Sequence, residues 1–184
     1  MKIGVYGSAA GNISNQSKEK AKIIGAKIAR LGHTIITGAC SGLPYDAAKS
    51  AMENGGQSIG FSPATSIQEH LSHDYPDNAF TEFVFVPKNY KHSDDIFVGK
   101  KYRNVASVAE ANAAIIIGGR IGTMNEFTNA YDLGKNIGVL EGSGGITENA
   151  IKILLKEANK ESGSTVIFEA DPQKLVEKLV SITK

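Results

Sequence analysis

A chain of 184 residues, 41% hydrophobic and 21% charged, has the composition of a soluble globular protein, and one domain of that length buries about 70% of its unfolded surface. A formal net charge of +1 supplies no general basic field for extended nucleic-acid binding, and a single Cys excludes an intramolecular disulfide framework and a Cys-rich metal site. No apolar run approaches the ~20 residues of a membrane-spanning helix, and residues 1–7 read as a strand rather than a signal peptide, so a cytoplasmic protein is expected.

Residues 2–6 are expected as a first strand, ending in Gly7-Ser8-Ala9-Ala10-Gly11. Residues 12–17 offer several caps for a helix to about Leu31, with Ala21, Ile24, Ile28 and Leu31 on its apolar face and Gly32 as its stop. Thr34–Thr37 is a second strand, followed by Gly38-Ala39-Cys40-Ser41-Gly42 and a helix from about Pro44 to Glu53. Ser58–Phe61 is a third strand. Residues 62–81 show no sustained periodicity and are expected as a long loop, a form that in a compact domain commonly binds something. A strand over 82–86 precedes a helix over 94–111, capped by Ser93 or Asp94 and carrying Arg103 near its middle.

The apolar run Ala113–Ile117 reads as a strand buried on both faces, and it leads directly into Gly118-Gly119-Arg120-Ile121-Gly122-Thr123 and a helix stopped by Gly134. A strand over 137–140, the loop 141–145, a helix with the stripe Ile151, Leu154, Leu155 and Ala158, and a strand over 165–168 follow. Asp171-Pro172 opens a last helix with Leu175, Val176, Leu179 and Val180 inward. Strand alternates with helix throughout, which predicts one α/β domain over residues 1–184: a doubly wound, mostly parallel, Rossmann-like sheet. Ligands of such sheets bind beyond the strand carboxyl ends where strand order reverses. The turns at Gly7-Ser8, Gly38 to Gly42 and Gly118 to Thr123 all leave strand carboxyl ends and are expected to share one rim.

The turn after Ile117 carries the sharpest signal. Unpaired N–H groups and the positive dipole end of a helix start form an anion site, and Gly118, Gly119 and Gly122 let a phosphate approach the backbone. The spacing is one residue short of a P-loop and lacks its Lys, and Arg120 breaks G-x-G-x-x-G. A plain tight turn is the alternative.

Glu126 has two readings. Thr123-Met124-Asn125-Glu126 fits a capping box, yet the carboxylate also lies close to the expected phosphate. Two negative charges ~4 Å apart repel by about 1 kcal/mol in water and about 4 at an effective dielectric of 20, so a functional Glu126 requires cations nearby. Arg103 and Arg120 are available, although Arg103 within Lys100-Lys101-Tyr102-Arg103-Asn104 reads by itself as a solvated basic face. Cys40 reads as a small hydrophobe or loop thiol rather than a nucleophile, and His70, His73 and Asp74 lack a further ligand, so no metal site is expected.

Together, Tyr6-Gly7-Ser8, the G-x-x-x-G-L loop Gly38 to Leu43, Arg103, and the G-G-x-G-T-x-x-E motif from Gly118 to Glu126 resemble the LONELY GUY (LOG) superfamily. The resemblance implies hydrolysis of the N-glycosidic bond of a nucleoside 5′-monophosphate to free base and ribose 5-phosphate. It assigns phosphate to Gly118, Gly119, Gly122 and Thr123 and catalysis to Arg103 and Glu126; Arg120, from its place in the loop, is a further phosphate candidate, and Gly7, Ser8, Gly38, Gly42 and Asn104 are expected on the pocket rim. No cofactor is implied, and a homodimer or larger assembly is.

Cytokinin-type members carry Pro before the paired glycines and Arg-Lys in the helix. Here Ile117 and Arg103-Asn104 stand instead, which is closer to the branch related to molybdenum-cofactor carriers and DNA-processing protein A. The alternative is therefore a non-catalytic carrier or sensor of a phosphorylated pterin or nucleotide. Nucleic acid is disfavoured by the near-neutral charge and the lack of a basic–aromatic stripe.

Overall fold

A computed structural model of the chain describes residues 1–183. Seven strands, β1 (Lys2–Gly7), β2 (Thr34–Thr37), β3 (Ser58–Phe61), β4 (Glu82–Val84), β5 (Ala113–Ile117), β6 (Asn136–Leu140) and β7 (Val166–Glu169), form one sheet in the order β4-β3-β2-β1-β5-β6-β7. Every pairing is parallel, so the sheet is wholly rather than mostly parallel. The chain builds outward from β1 to the β4 edge, returns to place β5 beside β1, and builds outward again. Strand order therefore reverses between β1 and β5, which run in register from Ile3 opposite Ala113 to Gly7 opposite Ile117.

Both faces of the sheet are covered, as a parallel sheet requires. Alternate residues of β5 serve opposite layers. Ala113, Ile115 and Ile117 pack with α1 (Asn15–Arg30), α2 (Leu43–Glu53) and α7 (Pro172–Ile182). Ala114 and Ile116 pack with α4 (Ile96–Glu110), α5 (Ile121–Asp132) and α6 (Ala150–Ala158). Leu31, expected on the buried face of α1, is its C-cap residue and is exposed, because the chain has already left the helix there. Ala158 is likewise exposed at the end of α6, whose buried residue is Ile151.

Helix starts follow their side chains. Ser14 caps α1 by accepting from the Ser17 N–H, and Asp171 caps α7 with Pro172 in its first turn. Asp95, rather than Ser93 or Asp94, caps α4 by accepting from Phe97 and Val98. The stretch expected as a loop contains a short helix, α3 (Ile67–Ser72), capped by Ser66. Glu69 closes that cap by accepting from the N–H and hydroxyl of Thr65. Nearby His70 is fully buried between Ser62 Oγ (2.9 Å) and the Pro76 carbonyl (3.0 Å), so both ring nitrogens have partners.

The helix after β5 begins at Ile121 with Arg120 in the cap position and no side-chain cap. Thr123 lies inside its first turn, so of the two readings of Glu126 the capping box with Thr123 does not form. Among the described residues no helix is long and apolar enough to cross a membrane, and no cluster of three His, Cys, Asp or Glu could hold a metal.

Candidate functional site

A cleft of about 160 Å³ opens at the carboxyl ends of β1, β2 and β5, where strand order reverses. Its walls are Tyr6 to Ala9 at the end of β1 and just beyond it, Gly38 and Cys40 after β2, Pro44 in α2, four residues of α4 (Lys100, Lys101, Arg103, Asn104), and the start of α5 (Arg120, Gly122, Thr123, Glu126). Of the residues singled out in the sequence, Gly7, Ser8, Gly38, Arg103, Asn104, Arg120, Gly122, Thr123 and Glu126 meet on this one surface. Gly42, Gly118 and Gly119 do not line it. Gly42 adopts φ +85°, and the Leu43 N–H beyond it donates to the Ser8 carbonyl at 2.9 Å, tying the β2 turn to the β1 turn.

Gly118 and Gly119 both have positive φ, as the sharp exit from β5 requires. Their amides are already engaged within the protein. The Gly118 N–H donates to Ser143 Oγ (2.8 Å) and the Gly119 N–H to Ser8 Oγ (2.7 Å). Ser143 Oγ in turn donates to the Leu140 carbonyl at 2.6 Å. The glycine turn is thus held by hydroxyls from two other loops, and the open donors belong to the uncapped first turn of α5, at residues 121–123. Gly122 lies in that turn without positive φ, and a Cβ built on it meets no atom within 4 Å.

Arg103 reaches the cleft from α4 across Gly38, where any Cβ would overlap its guanidinium. Its Nη1 lies 4.0 Å from Glu126 Oε1, with side-chain exposures of 13% and 8%. Burial pushes the Glu126 carboxyl up to about 7, against the opposing pull of Arg103 and Lys101. Three polar atoms of the cleft residues, Tyr6 Oη, Arg103 Nε and Asn104 Oδ1, are buried without a partner. Burial also raises the Tyr6 phenol and the Cys40 thiol, the latter despite the neighbouring Arg103 charge. A thiol held protonated is a poor nucleophile. Four cationic side chains line the cleft against one carboxylate, which favours an anionic ligand.

The sequence reading did not place Lys100, Lys101 or Tyr6 at the cleft, brought Cys40 there only as part of the turn Gly38 to Gly42, and missed Ser143 behind the glycine turn. Helical spacing carried part of the signal: residues 100, 103, 104 and 107 share one face of α4. Ser143 carried none, because the contact it makes is set by the sheet.

Three comparisons place this architecture among known proteins. An uncharacterised protein of Archaeoglobus fulgidus is 29% identical over 141 residues, covering 77% of this chain and 80% of that one. The molybdenum cofactor binding protein of the phototrophic bacterium Rippkaea orientalis superposes with a TM-score of 0.75 at 19% identity, over 100% of this chain and 97% of that chain. The DNA processing protein A of Helicobacter pylori superposes with a TM-score of 0.64 at 19% identity, over 100% and 82% of the two chains. At these identities the two structural likenesses are likenesses of fold. The model of the SLOG cluster4 family matches residues 1–176, and the chain belongs to that family.

Proposed function

We propose that the cleft binds a nucleoside 5′-monophosphate and cleaves its N-glycosidic bond. The phosphate sits on the open first turn of α5 with Arg120 and Thr123 beside it, while Gly118 and Gly119 shape the turn from behind. The ribose lies against Arg103 and Glu126. One observation carries the reading. Gly122 occupies a first-turn helical position where glycine costs up to about 1 kcal/mol relative to alanine, and neither backbone strain nor a neighbouring atom calls for it. A missing side chain at a residue that lines the cleft and meets open space leaves room for a ligand at the positive end of a helix.

The chemistry follows from the ion pair. As the C1′–N bond breaks, its electron pair leaves with the base and positive charge develops on the ribose. Ionised Glu126 stabilises that charge and takes a proton from the water whose oxygen bonds to C1′. The proton passes on to the departing base, so water is added across the broken bond. Arg103, 4.0 Å away, favours the ionised carboxyl, and a proton affinity near 7 suits exchange at neutral pH.

Incubation with AMP, GMP and CMP, followed by chromatography for free base, tests the proposal alongside calorimetry for binding. Base release is expected, abolished by Glu126→Gln while nucleotide binding persists. Binding without base release at high enzyme concentration would leave the second reading, a carrier or sensor of a phosphorylated pterin or nucleotide. That reading draws support from Asn104 beside Arg103 and from the fold shared with a molybdenum cofactor binding protein. It predicts a ligand of defined mass in native mass spectra of freshly purified protein. Exposed Phe97, Val105 and Ile121 on the helices flanking the cleft support the homo-oligomer implied by the LOG resemblance.

A further inference from the structure

Arg103 and Glu126 belong to different helices, so their separation depends on how α4 is held against α5. Among the described residues one other direct polar side-chain tie joins these helices. Asn104 Nδ2 donates to Asn125 Oδ1 at 2.9 Å. Each partner is the sequence neighbour of a member of the ion pair, so the tie crosses the helix interface one residue along from it. Asn104 is 3% exposed and its Oδ1 has no partner, whereas Asn125 is half-buried. A buried amide with one hydrogen bond is anchored by that bond, since losing it leaves the whole carboxamide unsatisfied.

We propose that Asn104 and Asn125 form a positioning clasp that fixes the gap between Arg103 and Glu126 and keeps water out of it. The clasp touches neither of the reacting atoms. It rests on the reading of Glu126 as the working carboxyl, but its consequence is visible without ligand or turnover. Glu126 is faced by Arg103 and Lys101 from α4, by Tyr6 from β1 and by Cys40 from the turn after β2. Arg120 and Lys100 share the same cleft. Of these, only Arg103 lies within ion-pair distance. Burial is the largest influence on the Glu126 proton. Releasing α4 from α5 admits water, relieves that burial and lets the carboxyl ionise at lower pH.

The test is a pH titration of the Glu126 side-chain carboxyl by NMR, using full-length protein with 13C-labelled glutamate. The protein as isolated is compared with Asn125→Ala, Asn104→Ala and the double variant. Each single change is expected to lower the midpoint by about one pH unit, and the double variant should go no lower than the lower single. An unmoved midpoint in Asn125→Ala, or a double variant whose shift is the sum of the two singles, overturns the clasp. Asn125 is half-buried, so its variant carries the test if Asn104→Ala fails to fold. A purely structural role would lower the melting temperature of Asn125→Ala and leave the titration in place. Absence of base release in the AMP assay bears on the reaction alone, because the titration is read on the free protein.

Discussion

Gly38 and Gly122 both border the cleft, and an added methyl group would meet opposite surroundings at the two. At Gly38 the space is already taken by the Arg103 guanidinium, while at Gly122 it is empty out to 4 Å. The first glycine therefore serves the protein itself, because it lets a long cation from α4 lie flat over the end of β2. The second serves no contact within the chain. Glycine at a pocket wall thus carries two unrelated meanings, and only the position of neighbouring side chains separates them.

Gly38→Ala should have the largest effect. The new methyl must displace a buried guanidinium, at a cost of about 3 kcal/mol in urea unfolding. The same substitution in an Arg103→Ala background should cost little, since the atom it would strike is gone. Equal costs in both backgrounds would break the comparison.

Glu126→Gln comes next, with an effect that depends on pH. The folded carboxyl binds its proton more tightly than the unfolded one, from an ordinary 4.5 up to about 7. The folded state therefore holds more protons across that window, and stability falls as pH rises through it. Glutamine removes the titration. The variant should match the parent at pH 4 and exceed it at pH 8 by on the order of 2 kcal/mol, as read by urea unfolding at both. A variant no better at pH 8 than at pH 4 would mean that Glu126 is solvated.

Gly122→Ala should move stability least. A helical alanine without clashes should stabilise the fold by up to about 1 kcal/mol. Affinity for AMP in calorimetry should drop about tenfold or more, because the methyl occupies ligand space. A stabilised variant that binds as well as the parent would remove the functional meaning of this glycine.

The alternation of strands and helices was legible because apolar runs such as Ala113–Ile117 and stops such as Gly32 and Gly134 act locally. Two occurrences of one pattern show where legibility ended. Ser66-Ile67-Gln68-Glu69 is a helix start with its cap formed, inside a stretch with too few residues for periodicity to show. Thr123-Met124-Asn125-Glu126 has the same spacing, but α5 starts earlier and Glu126 turns towards Arg103. One difference is where the helix begins and the other is a partner on another helix, and the four-residue pattern reports neither.

The same limit applies to the glycine turn. Gly118 and Gly119 were readable as residues that bend the chain, but their amide partners were not. Ser8 and Ser143 come from loops 111 and 25 positions away along the chain.

Those two serines have a kinetic consequence. They moor the turn after β5 to the ends of two neighbouring strands, so it is ordered before any ligand arrives. Capture then forfeits little backbone freedom, and differences in affinity among ligands should show in how slowly each one leaves.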